Sequence, residues 1–308
     1  MSSTSSSTEP ASTEPAIVAA GTTPPSEALR AQIERTIAEH LDAQPNPPPR
    51  LLEAARHAVL GGGKRLRPML VLRSALAVGG RVEDALDVAV AVEFVHAFSL
   101  VHDDLPALDD DDLRRGRPTL HKAFDEATAI LAGDFLLAVA AQAATASPVD
   151  GRRSVRELLA ATNEMIFGQV QDTLGGTDPT LPQAEQLREI HARKTGALIA
   201  VACRLGGIAA RADDRSLAAL DRFGRVIGQM FQAVDDLLDE TQTTEHLGKA
   251  AGKDRNAGKL TYPRVHGLDG TRRLVESMRR EAIEAIAPLD ASADPLRRLV
   301  EDLAVRTR

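Results

Sequence analysis

Cysteine and aromatic residues are scarce in this sequence. Cys203 is the single cysteine in 308 residues, which excludes an internal disulfide and any multi-cysteine zinc or iron–sulfur site. This composition predicts a reducing cytoplasm as the compartment, with Cys203 as a small buried apolar side chain. The chain has no Trp and only one Tyr, and it lacks the β-branched and aromatic-rich runs that would indicate strands.

Basic residues and long apolar runs are also limited. The 37 basic residues are outnumbered by 44 acidic ones, giving a formal net charge of -7, so a general nucleic-acid-binding protein is not expected. No apolar run approaches the roughly 20 residues that span a bilayer, and the N-terminus lacks the basic start and apolar core of a secretory signal. We therefore expect no transmembrane segment and a cytoplasmic location.

The first 25 residues differ in composition from the rest of the chain. They are rich in Ser, Thr, Pro and Ala, and no Lys or Arg precedes Arg30. Such a segment buries too little surface to offset the entropy of ordering it, so residues 1–25 are predicted to be a disordered tail. Residues 26–308 contain no long linker and no internal repeat, which predicts one domain.

Helical periodicity continues through almost all of that domain. Its breaks coincide with Gly and Pro, as at Pro45 to Pro49 and Gly61 to Gly63, and they divide the chain into roughly ten helices. The stretch from Val82 to Val101 is apolar nearly all round, which is typical of a helix at the centre of a bundle. The predicted fold class is therefore an all-α, single-domain helical bundle.

A cluster of carboxylates directly follows this central helix. Six aspartates occur within ten residues, at Asp103, Asp104 and Asp109 to Asp112. They repel one another at neutral pH unless cations neutralise them. Most acidic runs are solvated loops, but this one ends the most apolar helix of the chain, so Asp103 and Asp104 are expected to face a cavity.

A second cluster lies on a later apolar helix, at Asp235, Asp236 and Asp239. Asp235 and Asp239 are four residues apart and share one helix face, which suits the binding of a hard cation through oxygen. Magnesium accepts one or two carboxylates together with water and substrate phosphates. Calcium is the rival ion, but neither cluster has the twelve-residue loop of an EF-hand.

Basic residues occur in positions that could complement these carboxylates. Three glycines precede Lys64, Arg65 and Arg67 in a turn that could bind phosphate, although it lacks the spacing and the Ser or Thr of a P-loop. The alternative is an ordinary helix cap with an exposed basic turn. Further cations follow at Arg114, Arg115, Lys194, Lys249, Lys253 and Lys259. Together, acidic pairs and surrounding cations predict metal-assisted binding of a diphosphate.

Four blocks in this order resemble the trans-type isoprenyl diphosphate synthases, or polyprenyl synthetases, and within that family most closely the bacterial farnesyl diphosphate synthases. The blocks are Gly62 to Pro68, the first Asp-rich motif with Arg114 and Arg115, Lys194 to Gly196, and Phe231 to Asp239. The similarity covers roughly residues 50–265. It implies a helical bundle around a deep central cavity, a homodimer, and three magnesium ions bridging the allylic diphosphate and both Asp-rich helices.

The resemblance also implies roles for individual residues. It assigns the magnesium ions to Asp103, Asp104, Asp109, Asp235 and Asp239. It assigns the diphosphate of isopentenyl diphosphate to Lys64, Arg67, His96 and Arg115. It assigns the allylic diphosphate to Arg114, Lys194, Lys249 and Lys259. It gives catalytic roles to Lys194, Thr195 and Gln232. Without the motif, His96 would be interpreted as a buried structural histidine.

Phe98 is the residue that the resemblance connects with product length. It lies five residues before Asp103, about 7.5 Å along the helix axis, where an aromatic residue forms the floor of the cavity in the resembled family. Four residues separate Asp104 from Asp109, which is typical of the bacterial farnesyl type. Farnesyl diphosphate is therefore the expected product, with ordinary core packing as the alternative role of Phe98.

Other functions are left open by the sequence. A geranylgeranyl or geranyl diphosphate synthase is the alternative within the same family. A terpene cyclase binds one diphosphate and typically has an aromatic-rich cavity, which fits poorly with the absence of Trp. A non-catalytic partner subunit would be favoured by degraded Asp motifs, whereas both motifs here are intact.

Overall fold

A computed structural model describes residues 24–241 and 259–305 of the chain. These residues form twelve α-helices: α1 Ser26–Asp42, α2 Pro49–Leu60, α3 Leu66–Ala77, α4 Val82–Asp103, α5 Leu120–Ala123, α6 Glu126–Ala146, α7 Gly151–Leu174, α8 Gln183–His191, α9 Ala197–Ala209, α10 Asp214–Thr241, α11 Tyr262–Ala285 and α12 Asp294–Val305. A π-helical turn, Ala192–Gly196, joins α8 to α9, and a 3-10 turn, Ala291–Ala293, precedes α12. The prediction of an all-α fold is confirmed.

One short pair of strands interrupts the helical pattern. Strand β1, Leu113–Arg114, pairs antiparallel with β2, Arg117–Pro118, and the sequence analysis did not identify it. Two residues are too few to show an alternating pattern. The hairpin holds Arg115 and Gly116 in its turn, both with positive φ, and so fixes the two arginines that follow the acidic run.

Helix α4 lies at the centre of the bundle and packs against α3, α6 and α9. Val88, Ala89, Val90 and Ala91 are consecutive and so face all sides of the helix, and all four are fully buried. A helix that is apolar on every face is stable only when neighbours surround it. This central position explains why the acidic end of α4 opens into the interior of the fold.

Among the described residues, two helices are long and apolar enough to cross a membrane by length and composition, whereas the sequence analysis found no apolar run of that length. They are α4 and α6, and 67% and 50% of their most apolar windows are buried inside the fold. Helices at the core of a bundle have the same composition as membrane spans because both are surrounded by apolar groups. The burial of α4 and α6 agrees with that position in the bundle.

The glycine-rich turn between α2 and α3 has a backbone that other residues rarely adopt. Gly62 and Gly63 have φ values of 93° and 124°, which L side chains disfavour. Arg65 follows in the left-handed region and is buried, where its Nη1 donates to Glu93 Oε1 of α4 at 2.8 Å. This buried ion pair fastens the turn to the central helix and positions Lys64 and Arg67.

Residues 1–23, 242–258 and 306–308 lie outside the described part of the chain. Most of the predicted tail, residues 1–25, therefore stays a prediction, as does the single domain over residues 26–308. Lys249 and Lys253 also lie outside the described residues.

Candidate active site

The first acidic cluster folds back on the end of α4. Asp103 is the last residue of that helix, and its carbonyl oxygen accepts a hydrogen bond from the Asp109 backbone N–H at 2.9 Å. The two carboxylates are thus brought to one place by the loop. Burial, with a contribution from the nearby charge of Asp109, raises the pKa of Asp103 to about 6, although Lys194 opposes the shift. A cation would relieve that repulsion.

Asp104 has a different environment from Asp103. It is buried, and both of its carboxylate oxygens accept hydrogen bonds from Arg114, at 2.5 to 2.9 Å. Such a bidentate pair is strong and geometrically specific. Asp104 is therefore placed to anchor the β-hairpin on α4, and Arg114, predicted to bind the allylic diphosphate, uses Nε and Nη2 in that anchor.

The second acidic cluster lies near the end of α10 and splits into two kinds of carboxylate. Asp235 is half-buried and Asp239 is exposed. Asp236 is buried and accepts hydrogen bonds from Gln232 Nε2 at 2.8 Å and from the Tyr262 backbone N–H at 2.9 Å. Asp236 thus ties α10 to the first residue of α11, which leaves Asp235 and Asp239 as the candidate ligands.

Two lysines meet at Asp172, a residue that the sequence analysis did not identify, and one of them also reaches the first acidic cluster. Lys194 Nζ lies 2.6 Å from Asp172 Oδ2, and Lys259 Nζ lies 3.5 Å from the same oxygen and 3.6 Å from Asp109 Oδ1. Burial raises the pKa of Asp172, but both lysines more than offset this and leave it below its usual range. The lysines are thereby directed to the place where a substrate diphosphate would meet the carboxylates.

The π-helical turn places Thr195 beside α10. An added Cβ on Gly228 of α10 would come within 2.6 Å of Gly196 Cα, so the turn can approach α10 this closely only because residue 228 is glycine. There Thr195 Oγ1 donates to Gln232 Oε1 at 3.0 Å. π-Helical turns often occur at functional sites, and this one brings together two residues that are 37 positions apart.

Two hydrogen bonds determine the direction of these polar groups. Asp236 can only accept, so Gln232 must present its NH₂ to Asp236 and its carbonyl oxygen to Thr195. The Thr195 hydroxyl donates its proton to Gln232 Oε1. The lone pairs of Thr195 Oγ1 therefore point away from Gln232. This is the orientation required of an oxygen that stabilises positive charge on a neighbouring carbon.

A basic cavity of about 1080 Å³ lies between α3, α4, α10 and α12. Its lining includes all four residues predicted to bind isopentenyl diphosphate, namely Lys64, Arg67, His96 and Arg115. Arg115 Nη1 donates to the Gly62 carbonyl oxygen, so the hairpin closes over the glycine-rich turn. The structure brings these four residues together from three separate segments.

His96 is neutral in this cavity. Burial and then the charge of Arg67 place its pKa well below 6.5. Its Nε2 lies 3.2 Å from Arg67 Nη1, and because a guanidinium only donates, Nε2 must accept and the proton must reside on Nδ1. His96 therefore orients Arg67 and can offer a hydrogen bond without adding a charge.

Phe98 is buried on α4 and makes an edge-to-face contact with His102, with ring centroids 5.3 Å apart. His102 in turn packs on Gly133 of α6 and hydrogen-bonds the Ile130 carbonyl oxygen at 3.1 Å. Phe98 thus packs one helical turn before the acidic end of α4, and His102 connects it to α6.

The donor set fits magnesium, although within residues 24–241 and 259–305 no three His, Cys, Asp or Glu side chains are close enough to hold a metal by themselves. Asp103, Asp109, Asp235 and Asp239 offer only hard oxygen donors. Magnesium commonly takes one or two such carboxylates and completes its shell with water and substrate phosphates. The carboxylates also bring negative charges close together, and a divalent cation between them would relieve their repulsion.

The fold and the site define a class, that of all-α proteins with two acidic helix ends and a basic cavity. The sequence profile of the polyprenyl synthetase family matches residues 48–296, which extends beyond the stretch of resemblance seen in the sequence alone. The chain belongs to the polyprenyl synthetase family. It is a prenyltransferase of prenyl chain elongation, and the family depends on magnesium.

Individual relatives agree with this assignment. The chain is 43% identical to geranylgeranyl pyrophosphate synthase 12, chloroplastic, of Arabidopsis thaliana over 281 residues, covering 88% of this chain and 78% of the relative. It resembles the crystal structure of an FPP/GFPP synthase from Zymomonas mobilis with a TM-score of 0.77 and 34% identity, covering 90% and 96% of the two chains. It resembles geranylgeranyl pyrophosphate synthetase from Pyrococcus horikoshii with a TM-score of 0.80 and 31% identity, covering 90% and 98%.

Proposed function

We propose that this protein joins isopentenyl diphosphate head-to-tail to allylic diphosphates, beginning with dimethylallyl diphosphate. The observation that carries the proposal is the arrangement of two distinct cation sets. Lys64, Arg67 and Arg115 line one cavity, whereas Lys194 and Lys259 meet the carboxylates. Two separate diphosphate sites are what a condensation of two diphosphates requires, and a cyclase would need only one.

The proposed mechanism needs no protein nucleophile. Bound magnesium, three ions by analogy with the family, would supply Lewis-acid stabilisation of the departing diphosphate. Lys194 and Lys259 add positive charge on the same side, so the allylic C–O bond breaks and leaves an allylic cation. The Thr195 and Gln232 oxygens lie beside that carbon and stabilise its charge. The double bond of isopentenyl diphosphate then attacks, and the released diphosphate takes the proton that is lost.

The basic cavity contributes by positioning. Arg67, oriented by His96, and Lys64 hold the diphosphate of isopentenyl diphosphate so that its double bond faces the allylic carbon. Fixing two reactants in this way removes most of the entropy cost of a bimolecular reaction. The carboxylates, lysines and arginines therefore act by binding and electrostatics.

The length of the product has two candidates. The Arabidopsis relatives, up to 45% identical, are named geranylgeranyl synthases, and they favour a product of twenty carbons over the farnesyl product expected from the sequence. The ring of Phe98, buried below the acidic end of α4, is the specific observation that favours fifteen carbons. Incubation with magnesium, isopentenyl diphosphate and dimethylallyl diphosphate, followed by chain-length analysis, decides between them.

A homodimer is proposed from the surfaces of α6 and α7. These helices pack on each other and expose large apolar side chains at Ile130, Leu131, Ile166, Phe167, Val170 and Leu174. Exposed apolar patches of this kind usually mark an interface, and self-association is the commonest arrangement. Sedimentation should show a dimer that Phe167→Glu dissociates and Leu268→Glu, an exposed leucine on α11, leaves intact. A wild-type monomer would exclude it.

The cytoplasm is proposed as the location. The support is compositional, since one buried cysteine needs no oxidising compartment. Fractionation of the producing cells, with an antibody to the full chain, would test it. Recovery with the membrane or exported fraction would contradict it.

A further inference from the structure

Arg73 is a buried cation outside the sites described so far. It lies on α3, six residues after Arg67 and therefore about 9 Å further along the helix axis. Only 7% of its surface is exposed. A guanidinium in such a place costs free energy unless an anion or hydrogen-bond acceptors compensate its charge.

The hydrogen bonds of Arg73 are incomplete. Its Nη2 donates to Ser26 Oγ at the start of α1, at 3.2 Å. Its Nη1 is buried and finds no hydrogen-bond acceptor among the described residues. No carboxylate of residues 24–241 and 259–305 forms an ion pair with Arg73. One strong donor is thus left for a group that is not part of the described chain.

The neighbouring charges make an anion the group that fits. Arg30 of α1 and Arg298 of α12 line the same cavity as Arg73, opposed there by Glu27 and Asp302. Burial, and next the charge of Arg298, lower the pKa of Arg73. A second positive charge beside a buried guanidinium raises the free energy of both charged groups. An oxyanion bound between them would offset this repulsion.

The cavity is large enough for this subsite to be separate from the predicted isopentenyl diphosphate site. Its lining includes Lys64, Arg67 and Arg115 and also Ser26, Arg73 and Arg298, within a volume of about 1080 Å³. Arg67 and Arg73 are six residues apart on α3 and lie on different faces of the helix, so their guanidinium groups leave it in different directions.

We propose that Arg73, Ser26 and Arg298 form a second oxyanion-binding subsite, for inorganic phosphate or diphosphate, where α1 and α12 line the basic cavity. Arg73 supplies a fixed guanidinium whose geometry matches phosphate oxygens. Ser26 supplies a hydroxyl that can turn towards the ligand. Arg298, on α12, supplies a second positive charge for the oxyanion.

The test is a calorimetric titration of the full chain with inorganic phosphate, and separately with inorganic diphosphate. EDTA keeps divalent metal from the carboxylates, and saturating isopentenyl diphosphate occupies the inner site. The wild-type chain should still bind at least one of the two anions. Arg73→Gln should weaken that binding by at least about tenfold, because a charge-assisted hydrogen bond is lost. Arg298→Gln should weaken it severalfold.

Arg280→Gln, an exposed change on α11, is the matched control and should leave anion binding unchanged. Arg298 is exposed, so Arg298→Gln keeps the test valid even if Arg73→Gln fails to fold. Binding that is equal in wild type, Arg73→Gln and Arg298→Gln would overturn the proposal, as would the absence of any anion binding by the wild type. Titrating isopentenyl diphosphate first, on the same samples, reveals a failure of the proposed function separately.

Discussion

Asp236→Asn separates a structural carboxylate from the metal-binding ones in the second acidic cluster. The buried Asp236 accepts two hydrogen bonds, from Gln232 Nε2 and from the Tyr262 backbone N–H. An asparagine side chain has one accepting oxygen, so one of the two donors would lose its partner and face an NH₂ group. An unsatisfied buried donor costs about 1–3 kcal/mol, and we expect the free energy of unfolding to fall by that amount.

The same substitution should also disturb the reaction. If Gln232 turns its amide to accept from the new NH₂ group, its carbonyl no longer faces Thr195, and the Thr195 hydroxyl loses the acceptor that fixes its direction. We expect kcat to fall about tenfold or more, since an oriented oxygen at a developing charge commonly contributes on that order. KM for isopentenyl diphosphate should stay unchanged, because the basic cavity is not altered.

Magnesium dependence provides the decisive comparison. Asp239→Asn, an exposed change three residues later, should raise the magnesium concentration needed for half-maximal rate and should be rescued by excess magnesium. Asp236→Asn should not be rescued at any magnesium concentration. Steady-state rates across a magnesium series measure both variants. Full rescue of Asp236→Asn by magnesium would refute the structural role assigned to Asp236.

Three further outcomes are expected. Asp103→Ala should lower turnover by several orders of magnitude, because a magnesium ligand is lost. The protein should stay folded, because a half-buried carboxylate without a cation destabilises the folded state. Near-normal turnover would exclude Asp103 as a ligand. Phe98→Ala should lengthen the product by at least one five-carbon unit, whereas Phe223→Ala, a buried change on α10, should only reduce stability, by about 3–5 kcal/mol; unchanged length in an active Phe98→Ala protein would exclude the ring as the floor. Burial raises the pKa of Cys203 to about 12, so the thiol stays protonated and iodoacetamide at pH 8 should label it only after unfolding; rapid labelling of the native protein would contradict this.

The sequence was sufficient to predict the fold class and the family. The all-round apolar character of residues 82–101 was enough to identify the central helix, because only burial makes such a pattern stable. The two Asp clusters and the basic turn were recognisable since like charges at close spacing need a partner that the local sequence does not supply. These features are local, and periodicity and spacing show them directly.

Other features depend on contacts between distant segments. Nothing near Asp172 in the sequence indicates that it meets Lys194 and Lys259, because those contacts form only when α7 packs beside the π-helical turn. The structural role of Asp236, as distinct from the metal-binding role proposed for Asp235, likewise depends on the backbone of Tyr262, 26 residues away. A π-helical turn also has no sequence signature of its own, so the approach of Thr195 to Gln232 could be found only in the structure.

One measurement tests most directly whether the protein joins two diphosphates with the help of both acidic helix ends. Purified protein is incubated with isopentenyl diphosphate and dimethylallyl diphosphate, with and without magnesium, and the products are separated by chain length. We expect an elongated product of fifteen or twenty carbons that is lost when EDTA replaces magnesium. Absence of any elongated product in the presence of magnesium, or undiminished product in EDTA, would contradict it.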